Sequence, residues 1–394
     1  MLRSKLPDVV VGIPAAEWTG SAWRITARVD DVDVWFESEE LELTPAPEAL
    51  VSAFLIPSLA AGRRLVSQAP LAEDFVSHLP AVMAMVHRWW NYPVLQPQVP
   101  AVAAPVRERS PAETALCFSG GVDSFHSLLR GSHKPNLLVL VQGFDVRLTD
   151  AGRITQMREM TGQVAEAVGA GSAVVRTNLR QHPLFQSERW GRDHGGALAA
   201  IGHVLPASVG RLVISSSYAR TLARPWGSHW DLDPLWSGAG LEVEHYGEEF
   251  LRAAKIAAIA REPLARAHLR VCWCQPNELP NCSRCIKCVR TRILLSAVGG
   301  LEGFALLEGD DTLAAAIDAL PPFRHAHALH QYRAALEGRV PPDVAAALRR
   351  LLARTRGHVL LERLGLLDPV LRVNRKLQHA AAQIRRSAAL SAEP

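Results

Sequence analysis

The stretch Ala115–Leu129, ALCFSGGVDSFHSLL, decides the fold of this chain. A short apolar run ends at a serine and two glycines, and an amphipathic segment starts at once. An apolar run, a glycine turn and a helical pattern in this order are typical of a β-strand that leads into an α-helix. Working outward from this junction, we find the same alternation along the central part of the chain.

Apolar runs and helical patterns take turns after the first junction. The run NLLVLVQGF is apolar throughout, which is typical of a strand buried on both faces. A long helical pattern follows in Ala151–Ala170, then the strand pattern SAVVRTNL, the helical segment from His194 to Gly210 and the strand pattern RLVISSS. This alternation predicts a doubly wound parallel sheet of the α/β class, whose ligands bind at the carboxyl ends of the strands.

The regions on either side of this alternation look different. Ala22–Ser38 alternates apolar and polar residues across a turn at Asp30–Asp31, which predicts a β-hairpin. Helical patterns that contain proline, where breaks are expected, continue to Tyr92, and a proline-rich linker pattern follows. We therefore expect an N-terminal α+β module at 1–105, a nucleotide-binding domain at 106–298 and a helical C-terminal extension at 299–394.

Composition narrows the function classes. The 394 residues carry a formal net charge of +4, close to balance, so no nucleic-acid partner is required. No apolar run approaches the roughly 18–20 residues of a membrane span, and no secretory signal is visible. We expect a soluble cytoplasmic protein without a membrane partner.

The segment Ser119–Ser124, SGGVDS, has the chemistry of an anion-binding loop. Adjacent glycines let the backbone approach a bound anion, and the following helix points its unpaired N–H groups at the same place. The hydroxyls of Ser119 and Ser124 can donate to phosphate oxygens, while Asp123 would help to hold Mg²⁺ or would order the loop. An ordinary strand-to-helix turn is the alternative.

SGGVDS also resembles the PP-loop of the N-type ATP pyrophosphatases, and it lacks the Gly-Lys-Ser/Thr of the P-loop kinases. The resemblance implies an adenine nucleotide alpha-hydrolase-like fold, cleavage of Mg·ATP into AMP and pyrophosphate, and adenylation of a carboxylic acid. An amine, ammonia or another nucleophile would then displace AMP. The ATP-binding residues implied are Ser119, Gly120, Gly121, Val122, Asp123 and Ser124.

Five of the six cysteines lie between Cys272 and Cys288. The C-x2-C-x2-C run of Cys282, Cys285 and Cys288, with one cysteine upstream, is typical of a structural Zn²⁺ site, with an iron–sulfur cluster as the rival. The segment 272–288 is similar to that of the 7-cyano-7-deazaguanine synthase family. In that family a single cysteine precedes the run by about eight residues, which favours Cys272 as the fourth ligand and leaves Cys274 spare.

Two further segments follow predicted strands. Gly143 and Asp145 come directly after the second strand, and the resemblance places this position near the adenosine of ATP. The segment Arg224–Trp236, RPWGSHWDLDPLW, has the mixture of aromatic and polar residues found in binding pockets, although its tryptophans can equally pack an interface. The predicted substrate-binding residues here are Trp226, Gly227, Ser228, His229 and Asp233.

Cationic and titratable residues complete the predicted site. Lys255 and, one turn earlier, Arg252 lie on a predicted helix. Many PP-loop enzymes are similar in having a lysine there that reaches the phosphates of ATP. We therefore predict Asp123 and Lys255 as catalytic residues and Arg252 as substrate-binding. His194 is a candidate acid or base, or a helix-capping residue.

The sequence is compatible with several kinds of partner. The carboxylate substrate could be a small molecule, a peptide or a protein, and a homodimer is compatible with the sequence. Four arginines form a basic helix face that could contact tRNA or a protein, or that is simply solvated. They are Arg349, Arg350, Arg354 and Arg356.

Two other function classes fit the same residues. The first is a tRNA-modifying or thiolating PP-loop enzyme, which needs a reactive cysteine such as Cys117 or Cys274. The second is a nucleotide-sensing scaffold that has lost turnover.

Overall fold

The computed structural model describes residues 6–100, 113–186, 189–222, 224–272, 274, 280–323 and 326–363. The strands are β1 (Val9–Val11), β2 (Ala15–Trp18), β3 (Trp23–Val29), β4 (Val32–Ser38), β5 (Leu65–Ser67), β6 (Glu113–Cys117), β7 (Leu137–Gln142), β8 (Gly171–Thr177), β9 (Val209–Ser215) and β10 (Glu242–Tyr246). The helices are α1 (Pro47–Ala60), α2 (Glu73–Trp90), α3 (Val122–Arg130), α4 (Ala151–Val168), α5 (Trp190–Val204), α6 (Arg252–Ile259), α7 (Pro263–His268), α8 (Ile286–Ala297), α9 (Leu313–Asp318), α10 (Ala326–Glu337) and α11 (Pro342–Arg363).

The ten described strands form one sheet, in the order β10-β9-β6-β7-β8-β4-β3-β1-β5, with β2 paired to β3. The five strands from β10 to β8 run parallel, and helices connect them along the chain. The structure is therefore α/β with a mostly parallel sheet, which confirms the predicted class at this level. The alternation predicted from Ala115 onward is present in β6–α3–β7–α4–β8–α5–β9.

The N-terminal strands extend the same sheet. The predicted hairpin is present as β3 and β4, and β4 pairs antiparallel with β8 at Phe36 opposite Thr177. The hairpin turns at Asp30, whose φ of 50° is left-handed. The expected boundary at residue 105 lies in 101–112, outside the described residues.

Helix α1 shows why a proline does not always break a helix. Pro57 and Pro80 lie inside α1 and α2, so the breaks expected at these prolines are wrong. Every residue of α1 from Glu48 to Leu59 is buried. Burial of this much apolar surface stabilises the helix by more than the lost hydrogen bond and ring clash of one proline cost, about 3 kcal/mol.

The core on one face of the sheet depends on a close approach of α1 and α5. A Cβ at Gly196 in α5 would lie 2.2 Å from the carbonyl oxygen of Ser52 in α1. Only glycine allows this backbone contact, and Ala115 of β6 and Leu212 of β9 are fully buried in the same cluster. The α5 side of the central strands is therefore filled.

Strand β6 is the point where the strand order reverses. β7 and β8 lie on one side of β6, whereas β9 and β10 lie on the other. In sheets of this kind a crevice opens outside the carboxyl end of the strand at the switch, and ligands bind there. The segment Ser119–Ser124 directly follows β6, so it occupies this position.

The described chain divides into two compact units. The first runs to Cys282 and includes Glu302–Leu307, and the second contains Ser283–Leu301 and continues from Glu308. The second unit is built from α8 to α11, and the rings of Phe323 and Tyr332 stack within it at 5.0 Å. Residues 364–394 of the expected helical extension lie outside the described residues. Among the described helices, none combines the length and the apolar composition that a membrane span requires.

Candidate functional site

The loop between β6 and α3 is shaped by its two glycines. Gly120 has a φ of +71°, and a Cβ at this position would lie 2.6 Å from Cε of Met160. Gly121 is the N-cap of α3, and no side chain caps this helix within the described structure. The first N–H groups of α3 therefore lack the usual side-chain acceptor, which is the arrangement that binds anions.

The two serines of the loop have different environments. Ser119 is exposed, while Ser124 is buried and its hydroxyl donates to the carbonyl oxygen of Gly121 at 3.1 Å. Phe125 N–H donates to the same carbonyl at 2.9 Å. Ser124 therefore orders the loop, and Ser119 has the more accessible hydroxyl.

Asp123 joins the loop to helix α6. Its carboxylate accepts from Nη2 of Arg252 at 2.6 Å and lies 3.5 Å from Nζ of Lys255. Two cations from α6 therefore meet at this one carboxylate. The sequence suggested that Asp123 either holds Mg²⁺ or orders the loop. Its ion pairs with α6 are contacts that order the loop.

Lys255 reaches the loop from a buried position. Its side chain is 2% exposed, and Nζ donates to the carbonyl oxygen of Ser216 at 2.5 Å. Burial lowers the pKa of Lys255 and the charge of Arg252 adds to this, whereas Asp123 acts in the opposite direction. The carbonyl and Asp123 together fix the ammonium group beside the loop.

His126 lies under the loop and was not singled out from the sequence. Its ring packs against Tyr246 and Phe250, and Nδ1 is buried without a partner in the described chain. Burial and the charge of Lys255 lower the pKa of His126 to about 4. The ring is therefore neutral at pH 7. A single histidine in a helical pattern carries no sequence signal for this position.

Arg270 is a second residue that sequence reasoning missed. Its backbone N–H donates to the carbonyl oxygen of Gly120 at 2.8 Å, so the residue touches the loop directly. Nη1 contacts Sδ of Met157 at 2.7 Å, and Nη2 is buried with no partner among the residues described. Burial and the charge of Arg153 lower the pKa of Arg270 to about 10, which leaves it cationic at pH 7. Only the tertiary structure brings it to the loop.

Gly143 and Asp145 follow β7 at the same edge of the sheet. Gly143 has a φ of +109°, and a Cβ here would lie 1.9 Å from the carbonyl oxygen of Thr177. The glycine is therefore required for the close approach of the segments after β7 and β8. Asp145 is exposed, and its charge acts on Arg180 and His194, which places it near the start of α5.

The polar residues of the segment Arg224–Trp236 bind one another. The carboxylate of Asp233 is fully buried and accepts from Oγ of Ser228 at 2.7 Å and from His229 N–H at 3.2 Å. Nδ1 of His245 in β10 lies 2.7 Å from the same carboxylate. This network holds the segment in shape. Sequence reasoning missed His245 because β10 was not predicted.

Trp226 lies outside the hydrogen-bond network of Asp233. Its ring is half-buried and meets His194 and Tyr218 edge-on, with centroids 5.4 and 5.3 Å apart. The guanidinium of Arg224 lies 5.0 Å above the same ring. Gly227 is pressed against α5, since a Cβ there would lie 2.5 Å from the carbonyl of Arg192. Trp226 and its neighbours thus form an aromatic wall beside α5.

Cys117 ends strand β6 directly before the loop. Burial, and secondarily the charge of Asp233, raise the pKa of this thiol to about 12. Cys117 is therefore protonated at neutral pH, and a thiol in this state is a poor nucleophile. This counts against the thiolating alternative that uses Cys117.

Four cysteines form a candidate metal centre. The sulfur atoms of Cys272, Cys282, Cys285 and Cys288 all lie within 4.8 Å of one another, and none forms a disulfide. A tetrahedral site with Zn–S bonds of about 2.3 Å requires sulfur atoms about 3.8 Å apart, so the four thiols fit zinc. Asn281 orders this segment, because its Oδ1 accepts from the N–H groups of Val271 and Cys272. Cys274 is exposed and outside the group, as predicted.

The predicted basic face on α11 is exposed. Arg350 forms a salt bridge with Asp318 at 2.5 Å, and Arg354 donates to the carbonyl oxygen of Asp318 at 2.9 Å. Arg349 and Arg356 are exposed on the same helix. Two of the four arginines are therefore used to hold α9 and α11 together.

Comparisons of the chain with protein-family models, with curated proteins and with solved structures found no match. The function of the protein is therefore inferred from the residues and the geometry of the site.

Proposed function

We propose that this protein is an ATP-dependent adenylating enzyme of the PP-loop type. It binds Mg·ATP at Ser119–Ser124, transfers AMP to a carboxylic acid and releases pyrophosphate, as 7-cyano-7-deazaguanine synthases do. An amine, ammonia or another nucleophile then displaces AMP. The observation that carries this proposal is the uncapped start of α3 at the switch point of the sheet, with Arg252 and Lys255 held beside it at Asp123.

The cations beside the loop suit a negatively charged leaving group. The charged groups of Arg252 and Lys255 reach the loop from α6, whereas Arg270, after α7, contacts the loop through its backbone N–H. When a carboxylate oxygen attacks the α-phosphorus, the bond to the β-phosphate breaks and pyrophosphate leaves with the electron pair. Fixed cations and helix N–H groups stabilise this developing charge, which is the electrostatic contribution that most accelerates such reactions. Bound Mg²⁺ supplies further neutralisation of the phosphates.

The charge of Asp123 has a place in this scheme. In the structure it holds Arg252 and Lys255 in position. Because ATP brings its own negative charges, we expect the two cations to turn from the carboxylate to the phosphates when the nucleotide binds. Zinc at the four cysteines would stabilise the segment 272–288 and would take no part in the chemistry.

The proposal is tested by the products of ATP turnover. Purified protein is incubated with Mg·ATP and a pool of carboxylic acids and peptides from cell extract, and AMP and pyrophosphate are measured. We expect both products, and we expect Lys255→Gln to lower kcat by about 10²–10³-fold because it removes a fixed cation. Arg261→Gln is the matched control, since it removes one positive charge from an exposed position nearby. Formation of ADP and phosphate, or no turnover with any pool, would contradict the proposal.

A further inference from the structure

His194 is placed beside Trp226 by close contacts between the start of α5 and the segment Arg224–Trp236. A Cβ at Gly195 would lie 1.8 Å from the carbonyl oxygen of Gly227, and a Cβ at Gly191 would lie 2.7 Å from the ring of Trp226. The start of α5 and the Trp226 segment are therefore in direct contact. The imidazole of His194 is fixed against the indole of Trp226, with ring centroids 5.4 Å apart.

The hydrogen bond of His194 determines which nitrogen can accept a proton. Nδ1 lies 3.2 Å from the carbonyl oxygen of Trp190, one turn earlier in α5. A carbonyl only accepts, so Nδ1 carries the hydrogen and Nε2 has the lone pair. Among the described residues Nε2 has no partner, and it is not one of the side-chain nitrogens that are sealed from solvent. Nε2 of His194 is thus a ring nitrogen that has a lone pair and is reached by solvent.

The surroundings of His194 keep the ring neutral. Burial lowers the pKa of His194, and electrostatic repulsion from His245 in β10 acts in the same direction. Asp233 in the Trp226 segment and Asp145 after β7 act in the opposite direction without cancelling the effect of burial. These groups come from three different elements that meet beside the carboxyl end of β6, so His194 lies between the predicted nucleotide and substrate residues.

Two other histidines and Cys117 in this region are unsuited to accept a proton from a substrate. Nε2 of His245 is buried, and its Nδ1 is engaged by Asp233. Nδ1 of His126 is likewise sealed, and Cys117 is a protonated thiol. Of these three histidines and Cys117, His194 is the one that combines an unoccupied ring nitrogen with access to solvent.

We propose that His194 is the general base of the second half-reaction, in which an amine attacks the acyl adenylate. This inference rests on the proposed function. The amine nitrogen bonds to the acyl carbon, the bond from that carbon to the AMP oxygen breaks, and AMP leaves with the electron pair. The proton lost by the amine passes to Nε2 of His194 and then to solvent. The adenylation step itself needs no proton transfer to this residue.

The test separates the two half-reactions in the full-length protein. His194→Asn keeps an amide N–H near the position of Nδ1 and removes the base. His78→Asn is the matched control, because Nδ1 of His78 also contacts a backbone carbonyl, that of Ser237 at 3.1 Å, outside the candidate site. ATP–pyrophosphate exchange reports adenylation, with an acid from the pool that supports exchange in the wild type. Amide formation with glycinamide and with hydroxylamine reports the second step.

We expect His194→Asn to retain exchange and to slow amide formation with glycinamide by about 10²–10⁴-fold, the usual contribution of a general base. Hydroxylamine is unprotonated and strongly nucleophilic at neutral pH, so its reaction should be nearly unchanged. Protonation of the glycinamide amine slows both proteins toward acid pH, so the readout is the ratio of the wild-type rate to the variant rate, which should shrink as His194 becomes protonated. Equal losses in exchange and with both nucleophiles, or no loss at all, would overturn the role of His194. Absence of exchange in the wild type would instead overturn the proposed function, and this inference with it.

Discussion

Asp193 in α5 makes the stability of the first unit depend on pH in a direction that can be calculated. Its side chain is 1% exposed, and neither carboxyl oxygen has a hydrogen-bond partner among the residues described. Burial raises the pKa of Asp193 from 3.8 to about 7, although Arg189 and Arg192 oppose the change. We predict that Asp193→Asn stabilises the protein progressively as the pH rises.

The sign follows from proton binding. Between the unfolded pKa of 3.8 and the folded pKa of about 7, the folded state of Asp193 binds more protons than the unfolded state. Stability therefore falls as the pH rises through this window, and the full penalty remains above it. A shift of about three units at about 1.4 kcal/mol each gives roughly 4 kcal/mol, of which about 2 kcal/mol develops between about pH 5.5 and 8.5.

The assay is urea denaturation followed by tryptophan fluorescence. All ten tryptophans precede Ser283, so the signal reports on the first unit alone. The free energy of unfolding of Asp193→Asn, relative to wild type, should increase by about 2 kcal/mol from about pH 5.5 to about 8.5. Taking the difference between the two pH values removes any change in the free energy of unfolding that the asparagine causes independently of pH.

His126→Phe provides the control of opposite sign. The pKa of His126 is lowered from 6.5 to about 4, so the unfolded state binds more protons in this window and the wild type gains stability as the pH rises. Relative to its value at about pH 8.5, the free energy of unfolding of His126→Phe compared with wild type should therefore be about 1.4 kcal/mol more favourable at about pH 5.5. If the effect of Asp193→Asn were the same at both pH values, the carboxyl group would be charged in the folded protein and the reasoning would be refuted.

Three further outcomes are expected. In urea denaturation, Gly143→Ala should lower the free energy of unfolding by at least about 3 kcal/mol, because the added Cβ overlaps a carbonyl oxygen and φ is positive. Gly152→Ala, in the open first turn of α4, is the control and should change it by less than about 1 kcal/mol. Cys282→Ser should lose bound zinc and Cys274→Ser should keep it, as measured by elemental analysis; equal zinc in both would refute the four-cysteine site. Arg270→Met should weaken ATP binding about tenfold in calorimetry, and unchanged affinity would show that this cation does not face the nucleotide.

Much of the central fold was predictable because its signals are local. A buried parallel strand needs an apolar run, and the covering helix needs its own periodicity, so each unit from β6 to β9 is visible in a short window of sequence. β10 was missed because its five residues, EVEHY, alternate too briefly to be distinguished from a loop. The pairing of β4 with β8 joins Phe36 to Thr177, and no local pattern reports such a distant contact.

In the candidate site, too, some features were visible in the sequence and others only in the tertiary structure. The segment Ser119–Ser124 predicted a glycine turn at a helix start, and the C-x2-C-x2-C spacing predicted a cysteine cluster. Both were visible because each is built largely from residues close in sequence. The partners of these residues come from far along the chain. Lys255 reaches Asp123 across more than a hundred residues, and Asp233 binds Ser228 and a histidine of β10 inside the protein.

The sequence alone therefore determined the α/β class, the position of the glycine loop Ser119–Ser124 and the four cysteines. Only the tertiary structure decided that Arg270 joins the loop, that the polar residues beside Trp226 bind one another, and that His194 keeps a free nitrogen. The physical reason is that charge and burial act through space: the pKa and the partners of a side chain depend on every element packed around it, and packing follows from the whole chain.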